Sequence, residues 1–283
     1  MARFTNQAQL AYRNRITTSN IAVGEILEVL SAAKHAVVET YESYDVITYV
    51  VSLVNSGTTA LTGLVLTDNL GAYTFNEASL FPLQYVANSL KYYVNGVLQT
   101  SPVIASQEPL QIEGISIPAQ GNAVVIYQAA LTPFAPSATN STITNQAVIS
   151  GTGISSITVE ETISALAEPI LNITKSISPV PVTENGALTY TFVIENRGNV
   201  PADPVDLIVI TDQFNPILSD LTVTFNGTAW AEGTQYTYDQ TTGLFTTKAG
   251  EITVPAATFT QNADTGAWSV IPGTSTLVIT GTV

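Results

Sequence analysis

The chain of 283 residues has no cysteine, a single histidine and few charges, with Asp, Glu, Lys and Arg making up 11% of it. Without cysteine there are no disulfides and no thiolate metal sites. The lone His35 removes most metal and general-base chemistry as well. Eight basic residues face 22 acidic ones, for a net charge of −14. Such a surface repels phosphate backbones, so nucleic acid is not an expected partner. No apolar run reaches the length of a membrane span. The N-terminal MARFTNQAQL also lacks the apolar core of a secretory signal. The expectation is a protein whose export signal has been trimmed, or one that travels by a route other than general secretion. No Gly-rich phosphate loop, serine triad or paired-carboxylate site emerges, so neither turnover catalysis nor a cofactor is expected.

What the sequence does have is a hydrophobic fraction of 45% and abundant Thr, Val, Ser, Ile and Asn. That is the composition of strands and turns rather than of surface helices. Self-similarity organises it. LSAAKHAVVETYESYDVITYVVSLVNSGT (30–58) resembles LNITKSISPVPVTENGALTYTFVIENRGN (171–199). Lys34 to Tyr49 spans 15 residues, as does Lys175 to Tyr190; Lys34 to Asn55 spans 21, as does Lys175 to Asn196. LTGLVLTDNL (61–70) pairs with VDLIVITDQF (205–214), LKYYVNG with LTVTFNG, and IPAQGNAVVIYQA with IPGTSTLVITGTV. Most of these segments alternate apolar and polar residues between Gly, Pro, Asn or Asp, the pattern of half-buried antiparallel strands. The fold class read from this is all-β: two tandem immunoglobulin-like β-sandwiches at 24–152 and 168–283, joined by a linker at 153–167.

The sequence of L-x-I-T-K, then L-T-Y-T-F-V-I-E-N-x-G-N, then I-V-I-T-D, then T-N-x-A resembles a conserved-repeat family of bacterial and archaeal surface Ig-like domains. The family is catalogued as a domain of unknown function and often occurs in long tandem arrays. The match is fuller over 168–283 than over 26–152. The resemblance implies a surface or extracellular structural module, with T-N-x-A as its closing strand, and no reaction.

Closing strands are oddly placed. TITNQAVISG (142–151) completes the first sandwich, whereas the second stops at Val283, so a sandwich lacking its closing strand is expected there. A spare copy, RFTNQAQLAY (3–12), stands at the other end. Residues 1–15 therefore read as an N-terminal donor strand. Phe4, Asn6, Ala8 and Leu10 fall on one face of it, matching Ile143, Asn145, Ala147 and Ile149. A sandwich short of a strand exposes unpaired backbone and an apolar groove. Strand addition from a neighbouring molecule fills both, and because donor and acceptor surfaces differ, the contact propagates. Back-folding onto the same chain, or a tail left from a longer array, are the alternatives. The expected partner is the chain itself, in a head-to-tail homopolymer.

Lys34 and Lys175, two of only four lysines, share the inward parity of their apolar neighbours. So do Asn145 and Asn6, and so do Asp68 and Asp212, equivalent acids in L-V-L-T-D and I-V-I-T-D. An inward Lys, Asn and Asp is the constellation of the self-forming isopeptide crosslinks in Gram-positive surface sandwiches. It implies that Lys34 joins Asn145 within one chain, while Lys175 joins Asn6 of the next, with Asp68 and Asp212 as proton carriers. Ion pairing, snorkelling of the lysines and turn capping by the acids explain the same parity. Turn chemistry likewise accounts for Asp239 and Asp264 without calcium, so no metal site is expected. The sequon matches at Asn140, Asn172 and Asn226 are common by chance in a Thr-rich chain. The functional expectation is a structural subunit of an extracellular filament or spore appendage at the cell or spore surface. An adhesive or spacer module of a larger surface protein is the alternative.

Overall fold

The computed structural model describes residues 2–26 and 28–283. Met1, within the expected donor, and Leu27, within the expected first sandwich, lie outside the described residues. The chain begins with a hairpin arm: β1 (Ala2–Asn6), β2 (Gln9–Tyr12), β3 (Arg15–Thr18) and β4 (Ala22–Ile26). There follow β5 (Leu30–Ala36), β6 (Thr40–Tyr41), β7 (Val46–Asn55), β8 (Leu61–Asp68), β9 (Tyr73–Phe75), β10 (Ala78–Leu80) and β11 (Leu83–Tyr85). Next come β12 (Lys91–Val94), β13 (Val97–Gln99), β14 (Val103–Gln107), β15 (Leu110–Ile117), β16 (Asn122–Leu131), β17 (Thr142–Ser150) and β18 (Ile157–Ala165). The second repeat runs β19 (Leu171–Ser178), β20 (Ala187–Asn196), β21 (Thr211–Gln213), β22 (Ser219–Phe225), β23 (Thr228–Trp230) and β24 (Tyr236–Asp239). It ends with β25 (Leu244–Thr247), β26 (Thr258–Gln261), β27 (Trp268–Ile271) and β28 (Gly273–Thr282). The only helix among the described residues is a single 3-10 turn, Pro204–Asp206, and none is long and apolar enough to cross a membrane.

Two compact units divide the chain. One comprises Met1–Glu39, Tyr44–Thr132 and Ile143–Ile163; the other comprises Thr40–Ser43, Pro133–Thr142 and Ser164–Val283. Sandwich 1 is an immunoglobulin-like pair of sheets, ordered β13-β12-β16-β7-β5 and β14-β15-β8-β17-β18-β6. Alternation drives the layering. Along β7 every second side chain is buried, among them Ile47, Tyr49, Val51 and Leu53, and β16 answers with Ala123, Val125, Tyr127 and Ala129. In β17 the residues facing the core are Ile143, Asn145, Ala147 and Ile149, as their parity requires.

Sandwich 2 repeats this plan and then departs from it. Its five-stranded sheet, β19-β20-β28-β22-β23, matches β5-β7-β16-β12-β13 strand for strand. Both sheets turn a corner on the same device: the buried Asn55 and Asn196 accept the amide hydrogens of Gly57 and Gly198 on their side-chain oxygens. The opposing sheet is only β21-β25-β24, the counterpart of β8-β15-β14. Among the described residues no strand occupies the place of β17 beside β21. The consequences are local. The counterpart of β8, residues 205–212, is a strand only at its end, from Thr211. All eight residues of β19 are exposed, although LNITKSIS alternates as cleanly as any buried strand.

Two expectations are corrected. Residues 153–167 are not a plain linker, because β18 lies within them and is hydrogen-bonded beside β17. Residues 3–12 are not one continuous strand. They break at Gln7–Ala8, pair with residues 15–26 of the same arm, and leave Phe4, Asn6, Ala8 and Leu10 exposed. The physical reason is that the strand has no acceptor here, so its backbone groups are satisfied by the nearest edge available, its own hairpin.

One backbone position has the same left-handed conformation in the two β8-like segments. Gly63 has φ +64° and the equivalent Leu207 has φ 52°. Glycine adopts this region freely, whereas a leucine there costs about 1–2 kcal/mol. Leu207 is exposed and has little packing to lose. Leu207→Gly is therefore expected to stabilise sandwich 2 by about 0.5–1 kcal/mol, after allowing for the extra freedom of glycine in the unfolded chain. The midpoint of denaturant unfolding measures it.

Candidate functional site

Three strands of sandwich 1 bring three polar side chains into its core. Lys34 comes from β5, Asp68 from the end of β8 and Asn145 from β17. The side chains of Lys34 and Asp68 are 0% exposed. Lys34 Nζ donates to Asp68 Oδ2 at 2.7 Å and to the Asn145 backbone carbonyl at 2.9 Å, and it sits 4.9 Å from the Tyr49 ring centroid. Asp68 Oδ2 also accepts the Tyr127 hydroxyl, and Oδ1 accepts the Leu70 amide at 2.8 Å. A buried charge is tolerated only with this density of partners. Burial still dominates for the lysine: desolvation pulls its pKa below the usual value, against the opposing pull of Asp68. Burial first, and then the neighbouring Asp68, push the Tyr127 phenol well above its ordinary range.

Asn145 is fully buried, yet neither atom of its carboxamide makes a well-formed hydrogen bond. It lies near enough to Tyr127 to ease that hydroxyl's ionisation, but the contact falls short of hydrogen-bond geometry. Buried amides of this kind are rare in folded proteins, because each unpaired polar atom costs about 1–3 kcal/mol. The arrangement thus holds a lysine amine with a weakened hold on its proton, a carboxyl group 2.7 Å away and an amide without a well-formed hydrogen bond in one buried compartment.

Sandwich 2 holds the same pair with its lid off. Lys175 of β19 pairs with Asp212 of β21, over Tyr190, Phe192 and Phe214 at 4.3, 5.4 and 5.5 Å. Here the lysine side chain is 38% exposed and the aspartate 19%. Among the described residues no strand takes the place of β17 beside β21 to bring a third partner to this pair. A groove of about 300 Å³ runs along the vacancy, lined by Leu171, Ile173, Ile194, Ile208 and Ile210 with Asn172, Val209 and Thr211. At the position of Tyr127, opposite Tyr49, sandwich 2 has Ile279 opposite Tyr190, so Asp212 lacks the tyrosine partner of Asp68.

The structure therefore assembles Lys34, Asp68 and Asn145, assembles Lys175 with Asp212, and places Asn6 on β1 opposite Ala22 of β4. Tyr127 is the polar residue that sequence parity passed over; its signal was an inward tyrosine on β16 at the depth of Asp68. His35 finds a neighbour in Glu161, 3.6 Å away. Asp239 accepts the Thr241 amide at 2.8 Å, a turn-capping role that draws its pKa down. Asn262, rather than Asp264, caps the next turn, accepting the Asp264 and Thr265 amides.

No protein-family profile matches the chain, and no curated protein resembles it in sequence. Among solved structures, the major pilin subunit BcpA of Bacillus cereus is similar, with 9% identity over 96% of this chain and 73% of that one, at a TM-score of 0.36. The pilus backbone RrgB of Streptococcus pneumoniae aligns at 10% identity over 86% of this chain and 55% of that one, TM-score 0.32. The collagen-binding subdomain ACE19 of the Enterococcus faecalis surface protein ACE covers 50% of this chain and 97% of its own, at 8% identity and TM-score 0.30. Likenesses of this size leave function to be read from the site itself.

Proposed function

We propose that the chain is a structural subunit of an extracellular filament, joined head to tail by insertion of residues 3–12 of one copy into sandwich 2 of the next. One observation carries this reading. The same Lys–Asp pair is sealed in sandwich 1 and open in sandwich 2, and the sealing strand, ITNQA, has its copy in the exposed arm as FTNQA. A groove lined by isoleucines beside an unpaired strand edge favours an extended apolar strand over a soluble small molecule. Donor and acceptor are different surfaces of one chain, so each addition recreates the site it consumed.

The buried triad suggests that the joint is covalent. A proton passes from Lys34 to Asp68 along their hydrogen bond, leaving a neutral amine and a neutral acid. The Nζ lone pair attacks Cγ of Asn145 while Asp68 gives its proton to the amide oxygen. The attacking nitrogen passes a proton by way of the Asp68 carboxylate to Nδ2, and the Cγ–Nδ2 bond breaks as the oxygen returns its proton to Asp68. Ammonia leaves, so that one amide replaces another and no external reactant is needed. Lys175 and Asp212 would act in the same way on Asn6 of the incoming subunit.

Two measurements test the reading. Negative-stain microscopy of the purified chain is expected to show long unbranched fibres, and monodisperse particles would instead leave an adhesive or spacer module. Intact mass is expected to fall by about 17 Da for each bond, one ammonia apiece. An unchanged mass removes the covalent step without touching strand insertion.

A further inference from the structure

We infer that the donated element is the whole hairpin of residues 2–26, docked with β1 and β4 still paired, rather than a single strand. The inference rests on the filament reading above and concerns what is handed over. In sandwich 1 the sealing strand does not stand at an edge: β17 is flanked by β8 on one side and by β18 on the other. A lone strand inserted into sandwich 2 would pair with β21 and leave its outer edge bare. The arm already carries a second strand in the place of β18.

Registers agree. Subtracting 139 carries Asn145 to Asn6 and the end of β18, Ala165, to the end of β4, Ile26. In sandwich 1 the hydroxyls of Thr144 and Thr162 meet across β17 and β18 at 2.8 Å. The same subtraction gives Thr5 and Val23, which are cross-strand partners in the arm. One pair of core positions shows compensation as well. Ile143 and Ile163 are both buried in sandwich 1. Their counterparts are Phe4 and Gly24, partners across β1 and β4, and the Phe4 ring fills the space that a Cβ on Gly24 would need. A larger side chain on one strand and none on the other preserve the bulk of the two isoleucines. On the opposite face Arg3 and Glu25 form an ion pair at 2.8 Å, holding the strands together on the side that would face solvent.

Docking then has a defined register. In sandwich 1 Ala147, Val148, Ile149 and Ser150 pair with Asp68, Thr67, Leu66 and Val65. The equivalent pairs are Ala8 with Asp212, Gln9 with Thr211, Leu10 with Ile210 and Ala11 with Val209 of the neighbour. Within the arm the break at Gln7–Ala8, held by hydrogen bonds to Ser19, has to straighten, and β2 and β3, paired one residue out of step with β1 and β4, have to shift by one.

The test uses the full chain, which contains no cysteine of its own. In the double variant Thr5→Cys, Val23→Cys a disulfide locks β1 to β4 across their outward face. Assembly is followed by light scattering and microscopy with the disulfide formed and again after reduction. The expected result is fibres at the wild-type rate in both states. Monomers when oxidised and fibres only after reduction would mean that the hairpin must open, which overturns the inference while sparing the filament. Failure in both states would place Thr5 or Val23 against the acceptor and overturn it too. Absence of fibres from the wild-type chain would remove the parent reading, and this one with it.

Discussion

Leu10→Asp is expected to abolish fibre formation while leaving the thermal unfolding of the free chain unchanged. The two halves of that result come from two environments of one residue. In the free chain Leu10 is 62% exposed on β2, so a polar replacement removes almost nothing. In the docked arm it takes the place of Ile149, which is 0% exposed, and lies opposite Ile210. Losing that burial costs about 1.5–3 kcal/mol. Placing an unpaired carboxylate in an apolar groove costs several kcal/mol more. The sum corresponds to at least a thousandfold rise in the concentration needed for assembly, at about 1.4 kcal/mol per tenfold. Sedimentation across a concentration series reads it. Normal fibres from the variant would show that Leu10 does not enter the groove.

A second contrast lies within the chain. Asp68→Ala is expected to destabilise sandwich 1 by at least 3–5 kcal/mol, while Asp212→Ala changes sandwich 2 of the free chain by less than about 1 kcal/mol. The first substitution strands the Lys34 ammonium, the Tyr127 hydroxyl and the Leu70 amide in a dry core, all of which Asp68 satisfies. The second leaves a lysine that already reaches water. Scanning calorimetry should show one transition falling by about 10–20 °C for Asp68→Ala and little movement for Asp212→Ala. If the Lys34–Asn145 bond forms, Asp68→Ala also restores the lost ammonia to the measured mass. Equal effects from the two substitutions would contradict the difference in burial on which the functional reading rests.

Much of this architecture was legible in spacing and parity. β7, β16, β20 and β28 have one face in a core and one outside, so a period of two survives in their sequences and announces them. Lys34, Asp68 and Asn145 follow the same logic, since a polar residue in phase with apolar neighbours points where they point. The arm was harder to read. Its first half copies β17, but RNRITTSNIAVGEI, the second half, matches ITVEETISA of β18 in position far more than in residue type. A strand that lines little of the core carries no strong alternation to detect; β18 buries only Ile163 and Ala165. For the same reason residues 153–167 read as a linker. Tyr127 escaped because a tyrosine on an inward face is commonplace, and only the position of Asp68 beside it gives its hydroxyl a purpose. β19 shows the converse: it alternates like a core strand, yet all eight of its residues are exposed.

The buried contact between Lys34 and Asn145 also decides how the molecule would bear tension. A pull on the chain enters sandwich 1 at β5, which carries Lys34, and leaves it through β17, which carries Asn145, and the β18 beside it. A bond between them would carry the pull straight across. The roughly 110 residues in between, worth on the order of 370 Å of extended chain at about 3.4 Å each, would never be drawn out. A sandwich so bridged holds its length under load because the force bypasses the fold instead of testing it.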